Sequence, residues 1–296
     1  MVKISVVINT LNEEKNIQRA IGSVGWADEI VVCDMDSEDQ TREIAEKSGA
    51  KVFLCKRQGF VEPARNFAIS KATGNWILIL DADEEIPESL AKRLKELVSK
   101  QITSDYIEIP RKNIIFSRWM SASGWWPDYQ IRFFKKGAVV WNSKIHSKPK
   151  FKGMGLKLPA EEKLAIVHHN YQTIWQFIER MNRYTTIEAE QLLKDGYQFK
   201  WTDLFQKPLD EFLSRFFANK GYQDSLHGFA LSLLQAFAFF TTYLKVWQFQ
   251  GFQENKITLS EVEQEKKKGG YAIDYWMKQV KKSTNPFKGF FKNLIH

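Results

Sequence analysis

The first hundred residues alternate short apolar runs with segments of helical spacing. Four strands are predicted by KISVVIN (3–9), EIVVCD (29–34), KVFLC (51–55) and NWILILD (75–81). Helices are predicted across 13–24, across 38–48, from Pro63 to near Gly74, and from Pro87 to about Lys100. Apolar strands that alternate with helices are typical of a parallel sheet covered on both faces. The pattern therefore predicts an α/β fold with a Rossmann-like, mostly parallel sheet flanked by helices.

The remainder of the chain has a different pattern. Residues 101–167 contain short runs such as DYIEIPRK, YQIRFFKKG and AVVW, which indicate strands of antiparallel character. From about residue 171 the spacing becomes helical, and IWQFIERMNRYTTIEAEQLL fits one amphipathic helix. We therefore expect three parts: an α/β half over 1–100, a second half over 101–170, and a helical region over 171–296.

The helical region includes a stretch without charge. Ser225–Leu244 is 20 residues long and contains no Asp, Glu, Lys or Arg, which meets the minimum length of a membrane span. Polar residues interrupt it at Ser232, Gln235, Thr241 and Thr242. Its large apolar residues share one helical face: Phe229, Leu233, Phe237, Phe240, Leu244 and Trp247. This pattern favours a core helix, or a helix in the plane of a membrane surface, over a span.

The end of the chain is basic. Residues 266–296 contain eight lysines and one acidic residue, Asp274, with Phe287, Phe290 and Phe291 among the lysines. Such a segment is compatible with binding to an anionic bilayer and equally with a solvated tail.

Composition and charge narrow the class of protein. With 44% hydrophobic and 26% charged residues, the 296-residue chain is ordinary globular material. The net charge of +8 suits nucleic acid, an anionic membrane or phosphorylated substrates. The basic residues form no stripe along one helix, so we expect no nucleic-acid partner.

Cys33 and Cys55 each end a predicted strand, which indicates core thiols in a reducing compartment. Met1 leads directly into a strand, so no signal peptide is expected.

Four carboxylates follow the fourth predicted strand in WILILDADEEIP (76–87), at Asp81, Asp83, Glu84 and Glu85. A divalent cation would neutralise such a cluster, and oxygen ligands suit Mg²⁺ or Mn²⁺. The D-x-D spacing lets Asp81 and Asp83 reach one site. We expect Glu84 and Glu85 to face solvent or to begin the next helix. A plain polar loop is the alternative for this segment.

Polar residues also end the other predicted strands. Asn9–Thr10 follow the first strand, and Asp34 with Asp36 follow the second. Ligands of parallel α/β sheets bind outside the carboxyl ends of the strands. We therefore expect these groups and Asp81–Asp83 to converge on one rim of the sheet.

Four segments together resemble a known family. VVINTLNEEKNI, VVCDMDSEDQTREIAE, ARNFAISKATGNWILILDADEEI and the later DYQIRFF are similar to family 2 glycosyltransferases with the GT-A fold. The nearest subgroup is the bacterial lipopolysaccharide core β-glucosyltransferase (WaaE/KdtX) type. The resemblance covers roughly residues 1–150, and it is more specific for the family than for the acceptor.

The resemblance implies a role for each matching position. The 1–100 part would bind the nucleotide sugar and the 101–170 part the acceptor. Donor-binding residues would be Asn9, Thr10, Glu13, Asp34, Arg65 and Asp81. Metal ligands would be Asp83 and His146, the latter alternatively a base. The catalytic base would be Asp128, and acceptor-binding residues Trp125, Trp126, Gln130 and Arg132, the last two alternatively binding the pyrophosphate.

Several of these positions have a plain alternative. Asp128 could be a turn residue after Pro127, and Arg132 could be a surface charge. Many relatives follow the histidine at position 146 with Glu, whereas this chain has Ser147.

The activity implied is an inverting transfer of a hexose, with glucose the first candidate, from a UDP-sugar to a lipid-linked or lipopolysaccharide-core saccharide. It would use Mg²⁺ or Mn²⁺ at the inner face of the cytoplasmic membrane, with the anionic membrane surface as a partner. One alternative is a non-catalytic relative that binds a sugar nucleotide or a membrane. Another is a nucleotidyltransferase, although the loop NTLNEEKN is acidic and lacks the glycines expected of a triphosphate-binding loop.

Overall fold

The computed structural model describes residues 2–57, 62–141 and 149–284. The strands are β1 (Ile4–Thr10), β2 (Glu29–Asp34), β3 (Lys51–Leu54), β4 (Trp76–Asp81), β5 (Glu84–Glu85), β6 (Tyr106–Ile115), β7 (Arg118–Trp119), β8 (Asp128–Lys135), β9 (Val139–Val140), β10 (Lys150–Phe151), β11 (Gly155–Lys157) and β12 (Ile166–Tyr171). The helices are α1 (Ile17–Ser23), α2 (Thr41–Lys47), α3 (Glu62–Lys71), α4 (Glu88–Ser99), α5 (Ile174–Lys194), α6 (Asp203–Leu213), α7 (Ser225–Phe249) and α8 (Leu259–Thr284).

The main sheet has the strand order β3-β2-β1-β4-β8-β6-β12-β5. Its first four strands are parallel, as the alternation of apolar runs and helices predicted. Strand β8 joins β4 and β6 in antiparallel pairing, and β5 pairs antiparallel with β12. The prediction of an α/β, GT-A-like fold with a helical C-terminal region is confirmed.

The core lies on both faces of the parallel strands because neighbouring residues of a strand point to opposite faces. On one face Val6 and Ile8 of β1 pack in a cluster with Leu90 and Leu94 of α4. On the other face Val7 belongs to a cluster that includes small residues of α3, such as Ala68. Every residue of β1 is buried, which fits its central apolar run from Val6 to Ile8.

Helix α2 begins later than the sequence indicated. The sequence predicted a helix across 38–48, but the helix begins at Thr41 and Gln40 gives it no side-chain cap. The Ser37 hydroxyl, which could have capped an earlier start, donates to Asp34 instead. After the helix, Gly49 has a positive φ of 84°, a backbone conformation that favours glycine.

The chain forms two compact units. The α/β unit comprises Met1–Ile114 and Trp126–Asn170, and the C-terminal unit comprises Ile115–Trp125 and Tyr171–His296. The predicted functional division at residue 100 stays a prediction.

The C-terminal unit is built around α7, which packs on α5 and α6. Ile115 and Met120 join Phe177, Met181 and Leu231 in its apolar cluster. Among the described residues, one helical stretch, Gly221–Phe249, is long and apolar enough to cross a membrane, with a mean hydropathy of 1.4 and 33% of its most apolar window buried. Length and composition alone are weak support for a span, because core helices of soluble proteins share them.

Candidate active site

The polar strand ends meet at one rim of the sheet, as predicted. Strand register places Asn9 opposite Asp81 on β4 and Thr10 opposite Asp34 on β2. Asn9 and Thr10 are buried, and the Thr10 hydroxyl has no hydrogen-bond partner among the residues that the structure describes. A buried polar group left without a partner costs about 1–3 kcal/mol. A ligand that bonds to this hydroxyl would recover that energy.

The loops after β1 and β2 are tied together around Asp34. The Asp34 carboxylate is fully buried and accepts from the Ser37 backbone N–H at 3.2 Å and from the Ser37 hydroxyl. The Ser37 hydroxyl accepts from the Asn12 backbone N–H at 2.9 Å, and the Glu13 N–H donates to Thr41 Oγ1 at 2.7 Å. These bonds place the Asn9–Glu13 segment beside Asp34.

Two arginines neutralise Asp81. Arg65 Nη2 lies 2.7 Å from Asp81 Oδ1, and Arg132 Nη1 lies 3.3 Å from the same oxygen, while Arg132 Nη2 contacts Oδ2. Burial alone would raise the pKa of Asp81, but the charges of Arg132 and Arg65 outweigh it, so the pKa lies well below its ordinary value. Asp81 is therefore a carboxylate at neutral pH, and Arg132 is not the surface charge of the alternative interpretation.

Glu84 contradicts the expectation that it faces solvent or begins a helix. Its carboxylate is fully buried. Glu84 Oε1 accepts from Arg111 at 3.2 Å and Arg132 at 3.1 Å, and Oε2 accepts from the Asp81 backbone N–H at 2.9 Å. The cause is the short strand β5, whose pairing with β12 directs Glu84 inward. Glu85, in contrast, is partly exposed and lies 3.3 Å from His169 Nε2.

Asp128 lies in a dense hydrogen-bond network at the start of β8. Its Oδ2 accepts from Arg111 Nε at 2.7 Å, Arg111 Nη2 at 2.6 Å and Asn113 Nδ2 at 3.2 Å. Its Oδ1 accepts from Gln130 Nε2 at 2.7 Å, so Gln130 contacts the candidate base directly. Burial alone would raise the pKa of Asp128. The charge of Arg111 and these hydrogen bonds lower it by more, so the pKa lies below its ordinary value.

His168 stands next to the candidate metal ligand Asp83. Its Nε2 is 3.5 Å from Asp83 Oδ2, and its Nδ1 is 2.7 Å from Asn113 Oδ1. Because Asn113 donates its amide to Asp128, its oxygen faces His168 and requires a proton on Nδ1. The Nε2 atom then faces the Asp83 carboxylate, and either a proton on Nε2 or a metal cation bound by both groups would satisfy this contact.

An unbroken chain of opposite charges connects the candidate donor carboxylate to the candidate base. It runs from Asp81 through Arg132, Glu84 and Arg111 to Asp128. The sequence analysis missed Glu84 and Arg111, together with Asn113 and the position of His168. One signal was present: Arg111 and Asn113 are two residues apart in YIEIPRKNII, a strand in which such residues share a face.

Three predicted residues remain, His146, Trp125 and Trp126. His146 falls in 142–148, outside the described residues. Trp125 belongs to the C-terminal unit, where the Arg215 guanidinium carbon lies 5.4 Å from its ring centroid. Trp126 belongs to the α/β unit and is partly buried. The acceptor-binding roles of both tryptophans stay predictions.

Comparison with known proteins identifies the family. Residues 5–161 match the model of the family described as "Glycosyl transferase family 2". An uncharacterized glycosyltransferase of Rickettsia typhi is 31% identical over 256 residues, which cover 83% of this chain and 87% of the relative. The lipopolysaccharide core biosynthesis glycosyltransferase LpsC of Rhizobium meliloti is 24% identical over 256 residues, covering 83% of this chain and 92% of LpsC.

Solved structures show weaker similarity. A Staphylococcus aureus TarS fragment covers 87% of this chain and 94% of its own at 17% identity, with a TM-score of 0.44. A Mycobacterium tuberculosis glucosyl-3-phosphoglycerate synthase, in complex with Mn²⁺, UDP and glucosyl-3-phosphoglycerate, covers 38% of this chain and 43% of its own at 26% identity, with a TM-score of 0.32. The family match spans more than half of the chain and contains the rim and the charge network. The chain belongs to glycosyl transferase family 2 and is a glycosyltransferase.

Proposed function

We propose that this glycosyltransferase moves a hexose, with glucose the first candidate, from a UDP-sugar to a lipid-linked or lipopolysaccharide-core saccharide with inversion at the anomeric carbon. The observation that carries the proposal is the rim: Asp34 ends β2 and Asp81 ends β4, on either side of β1, Asp83 follows β4, and a charge network leads from Asp81 to Asp128. The similarity to LpsC supports the choice of acceptor. Family membership counts against a nucleotidyltransferase.

The donor would bind over the strand ends. The buried Thr10 hydroxyl would donate a hydrogen bond to a nucleoside or accept one from it, and the Asp34 carboxylate would accept from a nucleoside hydroxyl or N–H. Arg65 and Arg132 present two guanidinium groups at Asp81, and guanidinium is well matched to a diphosphate. The diphosphate gains negative charge as it leaves, so fixed positive charge beside it lowers the barrier.

The residues beside Asp83 fit a divalent cation. Asp83 Oδ2 and His168 Nε2 are an oxygen and a nitrogen donor 3.5 Å apart, both on largely buried side chains. Within residues 2–57, 62–141 and 149–284 no cluster of three or more His, Cys, Asp or Glu suited to a metal is present. Mg²⁺ is commonly held by one or two protein ligands with substrate phosphates completing the shell. A bound cation would stabilise the charge of the departing diphosphate, and Asp83 and His168 would hold it, with His146 the further predicted ligand.

Asp128 would take the proton of the attacking hydroxyl. The acceptor oxygen forms a bond to the anomeric carbon as the bond from that carbon to the UDP oxygen breaks on the opposite face, which inverts the configuration. The Asp128 Oδ2 already accepts three bonds, whereas Oδ1 accepts one, from Gln130. A carboxylate oxygen has about two lone-pair sites, so Oδ1 is the atom that receives the proton. Arg111 and Gln130 fix its orientation.

A soluble nucleotide sugar and a lipid-linked acceptor meet at a membrane surface. We accordingly place the reaction in the cytoplasm, at the inner face of the cytoplasmic membrane, with the protein bound peripherally.

Transfer assays test the proposal. Purified protein is incubated with radiolabelled UDP-glucose, UDP-galactose or UDP-N-acetylglucosamine, Mn²⁺, and lipopolysaccharide-core or lipid-linked acceptors, and the anomer formed is determined by NMR. We expect transfer with inversion, slowed by about 10²–10⁴ in Asp128→Asn and retained in the exposed control Asp195→Asn. Transfer with retention, or full activity of Asp128→Asn, would contradict the proposed mechanism.

A further inference from the structure

Helix α7 exposes a continuous apolar stripe. Leu226, Phe229, Leu233 and Phe237 are 73%, 41%, 47% and 48% exposed. Their spacing of three, four and four residues places them on one face of the helix. Phe240, which continues the same spacing, is partly exposed. The face whose spacing was apolar in the sequence is therefore exposed among the described residues of the C-terminal unit.

Aromatic rings of the preceding helical segment extend this stripe. The ring of Phe229 meets Phe212 of α6 edge-on at 5.9 Å between centroids and Phe216 at 5.4 Å. Both partners are partly exposed. Since Ser225–Leu244 contains no Asp, Glu, Lys or Arg, no such charged side chain interrupts the stripe along this part of α7. Large exposed apolar patches of this kind mark interaction sites.

The opposite face of α7 is held by polar contacts within the unit. Lys245 Nζ donates to Asn182 Oδ1 and Thr185 Oγ1 of α5, each at 2.8 Å. The Thr242 hydroxyl donates to Glu188 Oε2 at 3.2 Å. A helix tied on one side to charged and polar groups cannot be surrounded by lipid on all sides. Its exposed stripe can, however, enter the outer part of a bilayer while the helix lies in the membrane plane.

Helix α8 supplies positive charge to the same unit. It packs on α6 through Gly269, where an added Cβ would lie 3.0 Å from Leu209 Cδ2. Lys266, Lys267 and Lys278 are exposed, and so is Tyr271 of the same helix. Lysines interleaved with exposed aromatic residues are typical of segments that bind anionic lipid surfaces.

We propose that the α7 stripe, defined by Leu226, Phe229, Leu233 and Phe237, inserts into the headgroup region of an anionic bilayer, with α8 binding the acidic headgroups. Helix α8 begins with three acidic residues, Glu261, Glu263 and Glu265, but residues 266–284 carry six lysines against one acid, Asp274. The charge of this later part favours an anionic bilayer over a second copy of the chain, because two copies would bring their lysine-rich segments together. This surface lies wholly in the C-terminal unit, so the inference is independent of the donor and acceptor assigned to the α/β unit.

Vesicle co-sedimentation of the full chain tests this surface. Vesicles of phosphatidylcholine alone are compared with vesicles that also contain phosphatidylglycerol, at about 0.1 M and about 0.5 M NaCl. The variant is Phe237→Asp, and its matched control is Phe151→Asp, which alters an equally exposed phenylalanine (48%) of the α/β unit. A second variant, Leu226→Ser, changes the most exposed residue of the stripe in case Phe237→Asp does not fold. Lys266→Glu combined with Lys267→Glu tests the contribution of α8.

We expect the wild type to bind the anionic vesicles more tightly than the neutral ones, and less tightly at the higher salt. Phe237→Asp and Leu226→Ser should weaken binding, by about tenfold for the phenylalanine, while Phe151→Asp binds as the wild type does. The lysine variant should lose the preference for anionic lipid. Wild-type binding by both stripe variants would overturn the proposal. So would an absence of vesicle binding combined with a dimer that Phe237→Asp dissociates, since the stripe would then be an interface between copies.

Discussion

Replacing Glu84 with Gln should destabilise the α/β unit strongly. Glu84 is the common anion of two guanidinium groups, that of buried Arg132 and that of partly buried Arg111, and its second oxygen accepts the Asp81 backbone N–H. Glutamine keeps the shape but loses the charge, and its NH₂ group must face either the two arginines or the backbone N–H. Breaking a buried ion pair costs about 3–5 kcal/mol. Because each arginine keeps one other carboxylate, we expect the lower end of that range, about 3 kcal/mol.

Urea denaturation at pH 7, followed by circular dichroism, measures this loss. The matched control is Glu85→Gln, the adjacent residue of the same type, which is partly exposed and should cost less than about 1 kcal/mol. A shift of the Glu84→Gln midpoint no larger than that of Glu85→Gln would refute the reasoning. Glu84 would then behave as the solvent-facing acid that the sequence alone suggested.

Further predictions concern the base, its partner, the metal pair and the C-terminal unit. Asp128→Asn should lower kcat by about 10²–10⁴ while UDP affinity is retained in calorimetry; lost UDP affinity would make Asp128 a donor-site residue. Since the pKa of Asp128 is lowered, its base form persists as pH falls, and the acid limb of kcat should lie below about pH 3.9, the ordinary value. The stability that the Asp128 carboxylate contributes to the fold is likewise present above about pH 3.9, and it is lost as pH falls through the lowered pKa of Asp128. Arg111→Gln should move the acid limb upward, and an unmoved pH–rate profile would show that Arg111 does not act through Asp128. Asp83→Asn and His168→Ala should each reduce the Mn²⁺-dependent part of UDP binding, and an unchanged Mn²⁺ dependence would exclude the pair as ligands. Gly228→Ala should destabilise the C-terminal unit by about 1–3 kcal/mol, because its Cβ would lie 1.9 Å from a backbone carbonyl oxygen seven residues earlier, and an unchanged melting temperature would contradict this packing.

The sequence predicted the rim because strand direction determines where strand ends lie. Apolar runs separated by helices require parallel pairing, and parallel strands bring their carboxyl ends to one edge. Asn9, Thr10, Asp34 and Asp81 could therefore be placed together without knowledge of their side-chain contacts. Their burial and hydrogen-bond partners required the structure.

The charge network could not be predicted in the same way. Glu84 and His168 become neighbours only because two-residue β5 pairs with β12 more than eighty residues later. Such a short strand has no periodicity that a pattern can reveal. Arg111 reaches Glu84 across the antiparallel half of the sheet, where strand order does not follow chain order. Long-range pairings of this kind depend on tertiary contacts rather than local preference.

Helix α7 shows a further limit of the sequence pattern. The apolar face was visible from the spacing of Phe229, Leu233 and Phe237, but periodicity does not distinguish a face that packs on protein from one that faces outward. The contacts of Lys245 and Thr242 with α5 resolve that question in the structure.

Calorimetric titration with UDP, GDP, ADP and CMP, with and without Mn²⁺, tests the central claim most directly. The account predicts that UDP alone binds, that Mn²⁺ strengthens its binding, and that Asp83→Asn removes this dependence. Binding of another nucleotide in preference to UDP, or no binding of any nucleotide, would contradict the assignment of the rim as a UDP-sugar site.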